Sequence, residues 1–382
     1  MQLLIAGDLV PTKSNIDLFN KADTISLLGE ELYYIWNSAD FRIINLEVPI
    51  TDKEEPIPKC GPNLIAPTST INGIKALNPS LIALANNHIL DQGEQGLNST
   101  MDILNKNDIP IVGVGDNLFE ASKPYIIHQD GFKIGIYNCA EHEFTIATEK
   151  TSGANPFDPL ESLDHIYNLK SKCDYVIVLY HGGKEHYRYP SPYLQKVCRK
   201  MAKKGADLII CQHSHCIGCF EKYENSTIIY GQGNFIFDHS DSEYWQTSLL
   251  IKVEIKEVID IDYIPIIKKE NVVRLAKREI GGDIVDAFRK RSEQILQEGF
   301  IEKEYQKFAD KYIENYLRNF SGFGKWLNRV DRYLLMGILL KNKYNKSKLL
   351  AIQNYVECEA HRELLIVGLK GEKKGEGRKY QK

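Results

Sequence analysis

The sequence predicts an α/β protein with a central sheet, followed by a helical extension. Short apolar segments alternate with helical patterns and with Gly, Pro and Asn punctuation over residues 1–267. Over residues 268–382, helical spacing with many charged positions replaces that alternation. Strands that alternate with helices are typical of a sheet covered by helices. The change in residue pattern after residue 267 indicates a second unit. We therefore expect two domains, residues 1–267 and residues 268–382.

The predicted strands are short apolar runs that end at polar or turn-forming residues. They span residues 3–6, 41–45, 81–85, 109–114, 133–138, 175–180, 207–211 and 227–230, and residues 249–255 and 259–267 form a late hairpin. Helical patterns over residues 93–107 and 193–204 separate several of these strands.

The extension is predicted to be helical, basic and frayed at its end. Its helical patterns cover residues 282–308, 310–320, 325–340 and 348–359. The last stretch, residues 371–382, is polar and rich in glycine, which is typical of a frayed tail.

Composition limits the class of protein. Of the 382 residues, 43% are hydrophobic and 26% are charged, which is ordinary for a soluble globular protein. Residues 1–8 resemble a core strand and lack the basic and apolar regions of a secretory signal. The eight cysteines are scattered, which favours reduced thiols over a disulfide framework. We expect a cytoplasmic protein, with peripheral contact to a membrane as an alternative.

Charge is distributed unevenly along the chain. Residues 268–382 contain 26 Lys and Arg against 16 Asp and Glu, a net charge of +10, so the remaining residues carry −13. An acidic body joined to a basic extension suggests two units with different tasks. Acidic residues interleave with the basic ones and no recognition motif accompanies them, so we do not expect nucleic-acid binding.

Polar groups follow five of the predicted strands. The most informative are His213 and His215, which come directly after the apolar run 206–211. Residues two apart on a strand point the same way, so two imidazoles at a strand exit form half of a metal site. The other four exits carry Asp8; Asn45 and Glu47; Asn87, His88 and Asp91; and His181. Sites of α/β proteins lie at the carboxyl ends of sheet strands.

Each of these residues also has a structural explanation when taken alone. Asp8 and Asp91 could cap helices or form turns, and His181 could precede a tight turn at Gly182 and Gly183. The Cys216–Cys219 pair lacks the second pair that a structural zinc site needs. An oxygen and nitrogen site is therefore favoured over a cysteine site.

The residue types indicate what such a site could do. Carboxylate, amide and imidazole ligands suit a divalent metal such as Mn, Fe or Zn, as one ion or two. A carboxylate can bridge two ions that act on a displacement at phosphorus. His88 could protonate the leaving group, and Asp91 could orient its imidazole.

The order of these motifs resembles the CapA (poly-γ-glutamate biosynthesis) family of bacterial capsule synthesis proteins, which is similar in turn to the calcineurin-like metallophosphoesterases. The resemblance covers about residues 1–250. It includes four further stretches, residues 45–50, 85–93, 181–190 and 230–237.

The resemblance implies a metallo-dependent phosphatase-like sandwich of two sheets flanked by helices over residues 1–267. It further implies roles for named residues. Asp8 and His215 would hold a first metal with Glu47 bridging; Asn87, His181 and His213 would hold a second; His88 would donate the proton; and Asn45 and Glu185 would assist.

Two hypotheses of function follow. The first is a metal-dependent hydrolase acting on an anionic polymer or a phosphoester, in the biosynthesis of capsule, poly-γ-glutamate or a related cell-surface polymer. The second is a non-catalytic component of a polymer-synthesis complex that binds polymer or metal, and Val10 motivates it by standing where the phosphoesterase pattern has a histidine. In either case the basic residues 268–382 could contact the complex or a membrane surface.

Overall fold

The apolar segments assemble into two large sheets and one two-stranded sheet in the computed structural model of the chain, which describes residues 1–237 and 240–373. The strands are β1 (Gln2–Leu9), β2 (Phe41–Leu46), β3 (Leu81–Ala83), β4 (Ile111–Val112), β5 (Val114–Gly115), β6 (Tyr125–Gln129), β7 (Phe132–Ala140), β8 (Gly153–Ala154), β9 (Tyr175–His181), β10 (Leu208–Gln212), β11 (Phe220–Tyr223), β12 (Ser226–Ile229), β13 (Thr247–Ile255), β14 (Ile259–Lys269) and β15 (Val272–Leu275).

Both large sheets combine parallel and antiparallel strands. The first has the order β15-β14-β13-β1-β2-β3-β4, in which β1 to β4 run parallel and β13 to β15 are antiparallel. The second has the order β11-β12-β10-β9-β7-β6, in which β12, β10, β9 and β7 run parallel. The carboxyl ends of neighbouring parallel strands therefore lie at a common edge in each sheet.

Helices cover the strands. They are α1 (Ile16–Asn20), α2 (Thr24–Leu28), α3 (Glu30–Asn37), α4 (Ile71–Ala76), α5 (Gly93–Lys106), α6 (Leu118–Ala121), α7 (Ser162–Lys170), α8 (Pro192–Lys203), α9 (Glu243–Gln246), α10 (Arg278–Gln294), α11 (Phe300–Phe320), α12 (Lys325–Tyr333), α13 (Ile338–Lys343), α14 (Lys346–Glu357) and α15 (Glu359–Lys373). Helix α8 shows how the sequence sets a helix start: the Ser191 side chain accepts a hydrogen bond from the Leu194 N–H, and Pro192 occupies the first turn.

Successive side chains of a strand point to opposite faces of the sheet, so they enter different apolar cores. Ile5 of β1 and Leu179 of β9 belong to the apolar core between the two sheets. Leu4, the neighbour of Ile5, belongs instead to the core with Trp36 of α3, and Val178 belongs to the core beneath α7 and α8. Each fully buried Leu or Ile contributes about 1.5–3 kcal/mol. The expected α/β sandwich of two sheets flanked by helices is confirmed, as is the helical extension.

The contacts divide the chain into two compact units, Met1–Lys303 and Glu304–Lys382. The boundary expected between residues 267 and 268 falls inside β14, and α10 buries Phe288 completely in the core between the sheets. The change to a basic composition therefore comes earlier in the sequence than the boundary between the two packed units. Of the predicted frayed tail, residues 371–373 end α15, and residues 374–382 lie outside the described residues.

The second unit is helical throughout its described part. A buried polar contact joins two of its helices: Arg318 Nη1 of α11 lies 2.8 Å from Asp331 Oδ2 of α12, and both side chains are buried. Among the described residues, no helix combines the length and the apolarity that crossing a bilayer requires.

Candidate metal centre

The predicted site residues lie at the strand exits of both sheets. Asp8 and Asn45 belong to β1 and β2, and His181 is the last residue of β9. Glu47 follows β2, Asn87 follows β3, and His213 and His215 follow β10. Each of these four residues lies close to His181 or to Asp8. The exits of the two sheets therefore form one site.

Glu47, His213 and His215 form the centre of this site. Each offers a ligand atom, these atoms lie within 4.8 Å of one another, and all three residues are buried. Both carboxylate oxygens of Glu47 and the Nδ1 atom of His213 are buried and make no hydrogen bond, although Glu47 Oε1 has an ion-pair contact with His181. Unsatisfied buried polar groups are costly unless they coordinate a metal. Carboxylate and imidazole ligands suit a divalent transition metal, so the residues present fit such an ion.

The backbone at the two histidines adopts an uncommon conformation. His213 has φ of 80° and His215 has φ of 52°, in the left-handed region that residues with a Cβ rarely occupy. Such a conformation costs on the order of 1–3 kcal/mol and persists only where the surroundings hold it, commonly at functional sites.

Asp8 is held by polar neighbours on two sides. The Asn45 Nδ2 atom donates to Asp8 Oδ1 at 2.7 Å, and His215 Nδ1 lies 3.4 Å from Asp8 Oδ2. The same His215 nitrogen lies 2.9 Å from Asn234 Oδ1. Asn234 thus fixes the orientation of the imidazole.

His181 connects Glu47 to the loop after β3. Its Nε2 atom lies 3.0 Å from Asn87 Oδ1 and 3.3 Å from Glu47 Oε1. The Asn87 amide in turn donates to Glu143 Oε2 at 3.3 Å. The ring centroids of His181 and His213 are 4.9 Å apart, so both imidazoles border the same space.

Burial and neighbouring charges shift the pKa values of His213 and His215 in opposite directions. Burial, together with nearby His181 and His215, holds the pKa of His213 well below its usual range. Burial also acts to lower the pKa of His215, but the carboxylates of Glu47 and Asp8 outweigh it and raise that pKa to about 9. A neutral imidazole is the form that binds metal, so His213 is a competent ligand at neutral pH.

His88 and Asp91 form a separate pair beside this centre. The His88 Nδ1 atom lies 2.5 Å from Asp91 Oδ2, which also accepts a 2.6 Å hydrogen bond from the Leu64 N–H. Lys59 pairs with the other Asp91 oxygen, and its Nζ lies 3.3 Å from His88 Nδ1. Because Nδ1 faces Asp91 and Lys59, Nε2 is the nitrogen that a substrate could meet.

A cavity of about 520 Å³ lies next to this pair. Its lining includes Lys59, Asn87, His88, Glu143 and Glu185. Asn87 thus borders both the cavity and the metal centre. Glu185 lies at the cavity wall, apart from the group formed by Glu47 and the two histidines.

Several contacting residues were not predicted. Asn234 lies within residues 230–237, a stretch that carried the resemblance without a role for this side chain. Lys59 and Glu143 lie in loops with no motif. Trp245 stacks on His215, with ring centroids 4.6 Å apart and planes 21° from parallel. Only Asn234 had a signal in the sequence that could have located it.

The arrangement of motifs agrees with a known family. The sequence model of the family described as bacterial capsule synthesis protein PGA_cap matches residues 2–239. The chain belongs to this family. The match confirms the resemblance, and it covers the whole site apart from Trp245.

Two Bacillus proteins are similar to the chain over part of its length. The capsule biosynthesis protein CapA of Bacillus anthracis is 27% identical over 247 residues, which are 62% of this chain and 60% of that protein. The PGA biosynthesis protein CapA of Bacillus subtilis is 31% identical over 219 residues, which are 53% of this chain and 55% of that protein. The chain thus spans little more than half the length of these curated relatives.

Solved structures give a weaker likeness. A phosphatase from Mycoplasma pneumoniae has a TM-score of 0.44 at 15% identity, covering 70% of this chain and 93% of that one. A 5′-nucleotidase precursor from Thermus thermophilus has a TM-score of 0.40 at 14% identity, covering 82% and 59%.

Proposed function

We propose that the chain is a metal-dependent hydrolase of the phosphoesterase type, acting in the synthesis of capsular poly-γ-glutamate or a related cell-surface polymer. The observation that carries the proposal is the buried Glu47 carboxylate, whose ligand atom lies within 4.8 Å of those of His213 and His215. Neither of its oxygens makes a hydrogen bond, and Oε1 has an ion-pair contact with His181. The names of the Bacillus relatives support the polymer context.

Glu47, His213 and His215 would hold a divalent ion of Mn, Fe or Zn. Asp8 on one side, and Asn87 with His181 on the other, would complete its coordination or hold a second ion. Such an ion supplies positive charge to a phosphoryl or carbonyl oxygen and lowers the pKa of bound water. Asn45 would orient Asp8, to which it donates a hydrogen bond.

The neighbouring His88 would act as the proton donor. Asp91 and Lys59 hold its Nδ1 side in place, which leaves Nε2 for the oxygen or nitrogen that departs from the substrate. An anionic phosphoester or a segment of polymer would occupy the adjoining cavity, at whose wall Glu185 lies. Proton donors of this kind contribute typically 10²–10⁴-fold in rate.

Activity of the manganese-loaded protein tests the proposal. It should hydrolyse a generic aryl phosphoester or shorten poly-γ-glutamate, chelation should stop the reaction, and His88→Ala should lower kcat by about 10²-fold or more. His128→Ala is the matched control, because His128 is exposed on β6. Hydrolysis that survives both chelation and His88→Ala would refute the proposal.

A second candidate is a non-catalytic component that binds polymer or metal. Asp8 favours it, because Asn45 and His215 already contact both of its oxygens and Val10 provides no further ligand at this exit. In that case poly-γ-glutamate would bind in calorimetry and elemental analysis would find metal in the wild type but not in His213→Ala, while no substrate is turned over.

A further inference from the structure

We propose that residues 320–348 of the second unit form a surface that docks on an anionic lipid bilayer. This lipid-facing segment comprises the last residue of α11, α12, α13 and the start of α14. The inference is independent of the hydrolase site, because it concerns residues of the second unit alone.

The exposed charge of the lipid-facing segment is entirely basic. It contains seven Lys and Arg residues and a single acidic residue, Asp331, a net charge of +6. Asp331 is fully buried and is paired with Arg318 outside the segment. The positive charge therefore faces solvent without an acidic side chain of the same segment beside it.

Large apolar side chains are exposed in the same stretch. The exposed fraction is 75% for Trp326, 73% for Tyr333, 75% for Leu334 and 82% for Met336. On α12, Trp326 and Tyr333 lie seven residues apart with Arg329 between them, so the three share one helical face. Four large apolar side chains exposed within eleven residues indicate an interaction surface rather than isolated solvent contact.

The turn between α12 and α13 holds two of these side chains outward. Met336 has φ of 48° and Gly337 has φ of 80°, and the Gly337 N–H donates to the Asp331 carbonyl at 2.8 Å. The Asp331 carboxylate accepts a 2.8 Å hydrogen bond from the Leu339 N–H. A buried acidic residue thus fixes the turn, and the exposed tip is a built feature rather than a frayed end.

Charge and residue type together indicate the occupant. Trp and Tyr favour the boundary between headgroups and acyl chains, apolar tips insert there, and Lys and Arg contact anionic headgroups. A second copy would oppose a segment of charge +6 to an identical one, which is repulsive. A nucleic acid would use the charge but would leave Leu334 and Met336 in water.

Tryptophan fluorescence tests the proposal on the full chain. Of the three tryptophans, Trp36 and Trp245 are buried, so a change in emission on adding vesicles reports on Trp326. We expect a blue shift and co-sedimentation with vesicles of phosphatidylglycerol and phosphatidylcholine, and about tenfold weaker binding to phosphatidylcholine alone or in high salt.

Two matched variants identify the surface. Met336→Asp should weaken binding to the anionic vesicles about tenfold, whereas Leu160→Asp, at a position of the first unit that is 80% exposed, should not change it. Equal binding of the two variants, or equal binding to neutral and anionic vesicles, would overturn the proposal. The proposal would also be overturned if poly-γ-glutamate displaced the vesicles and Met336→Asp changed neither the affinity for the polymer nor the affinity for the vesicles.

Discussion

At the scale of single residues, Asn234 connects the candidate metal centre to the surrounding structure. Its Oδ1 faces the Nδ1 atom of His215, and its side chain is fully buried. Partners that orient a metal-binding histidine typically contribute 10–100-fold to metal affinity. We predict that Asn234→Ala weakens manganese binding about 10–100-fold in calorimetry. Asn155→Ala, a buried amide elsewhere, is the control: equal loss of affinity in both variants would assign the effect to general destabilisation.

His215 gives the metal-stripped protein a distinctive dependence on pH. Burial opposes the charged imidazole, but Glu47 and Asp8 raise its pKa in the folded state to about 9, above the ordinary value of 6.5. A raised pKa stabilises the fold fully below about pH 6.5, and the contribution disappears as the pH rises through about 9. Urea unfolding of chelated protein should show this decline between about pH 6.5 and 9, and His215→Gln should flatten it. An unchanged slope in His215→Gln would contradict the assignment.

The two histidines also show where reasoning from the sequence reached its limit. The prediction that His213 and His215 point the same way assumed a continuing strand, yet β10 ends at Gln212 and both histidines have left-handed backbones. They are nevertheless brought together with Glu47. Residue types indicated the chemistry, but the backbone that achieves it depends on contacts from other segments, such as Asn234.

At the scale of elements, the close approach of β1 to the loop after β12 positions the site. A Cβ on Gly7 would lie 2.1 Å from the Gly233 carbonyl oxygen, next to Asp8 on one side and Asn234 on the other. We predict that Gly7→Ala destabilises the protein by about 1–3 kcal/mol in urea unfolding and weakens metal binding. Gly282→Ala in α10, where a Cβ meets nothing within 4 Å, should be neutral or stabilising by up to about 1 kcal/mol. Equal effects of the two substitutions would refute this explanation.

The central strands were predictable, whereas three of the four edge strands of the large sheets were not. The apolar runs of β1, β2, β9 and β10 are buried on both faces, which produces an unmistakable sequence signal. The edge strands β6, β11 and β15 are partly exposed and short of continuous apolar residues. The predicted strand 109–114 is divided because Gly113 has φ of 90° and turns the chain from β4 into β5.

Helix boundaries in the extension failed for a related reason. A helical pattern over residues 282–308 and another over 310–320 were expected, but α10 ends at Gln294 and α11 runs unbroken through Phe300–Phe320. Gly299, with φ of 70°, separates the two helices. Where most positions are charged, the apolar period that defines a helix is weak, and a single glycine decides the boundary.

At the scale of the whole molecule, charge asymmetry indicated two units but could not locate their boundary. Basic composition begins near residue 268, while the core between the sheets still requires Phe288 of α10, whose ring lies 5.2 Å from Phe220 and 4.8 Å from Tyr263 between centroids. Composition reports which residues face solvent, whereas the boundary depends on a few buried ones. Strand patterns likewise could not predict that the strand exits of two different sheets meet at one candidate metal centre. Periodicity along a strand carries no information about which sheet the strand joins.

Two truncated chains test whether the first unit ends at residue 267 or at residue 303. A chain ending at residue 267 loses the end of β14, β15 and α10, and removal of a buried Phe alone typically costs about 3–5 kcal/mol out of a total stability of about 5–15 kcal/mol. We predict that residues 1–267 fail to fold, whereas residues 1–303 unfold cooperatively by circular dichroism and melt at a higher temperature with manganese. The longer fragment should also lose binding to anionic vesicles, since it lacks residues 320–348. If residues 1–267 unfold as cooperatively as residues 1–303 and bind manganese equally, α10 is dispensable and the core between the sheets is complete without Phe288.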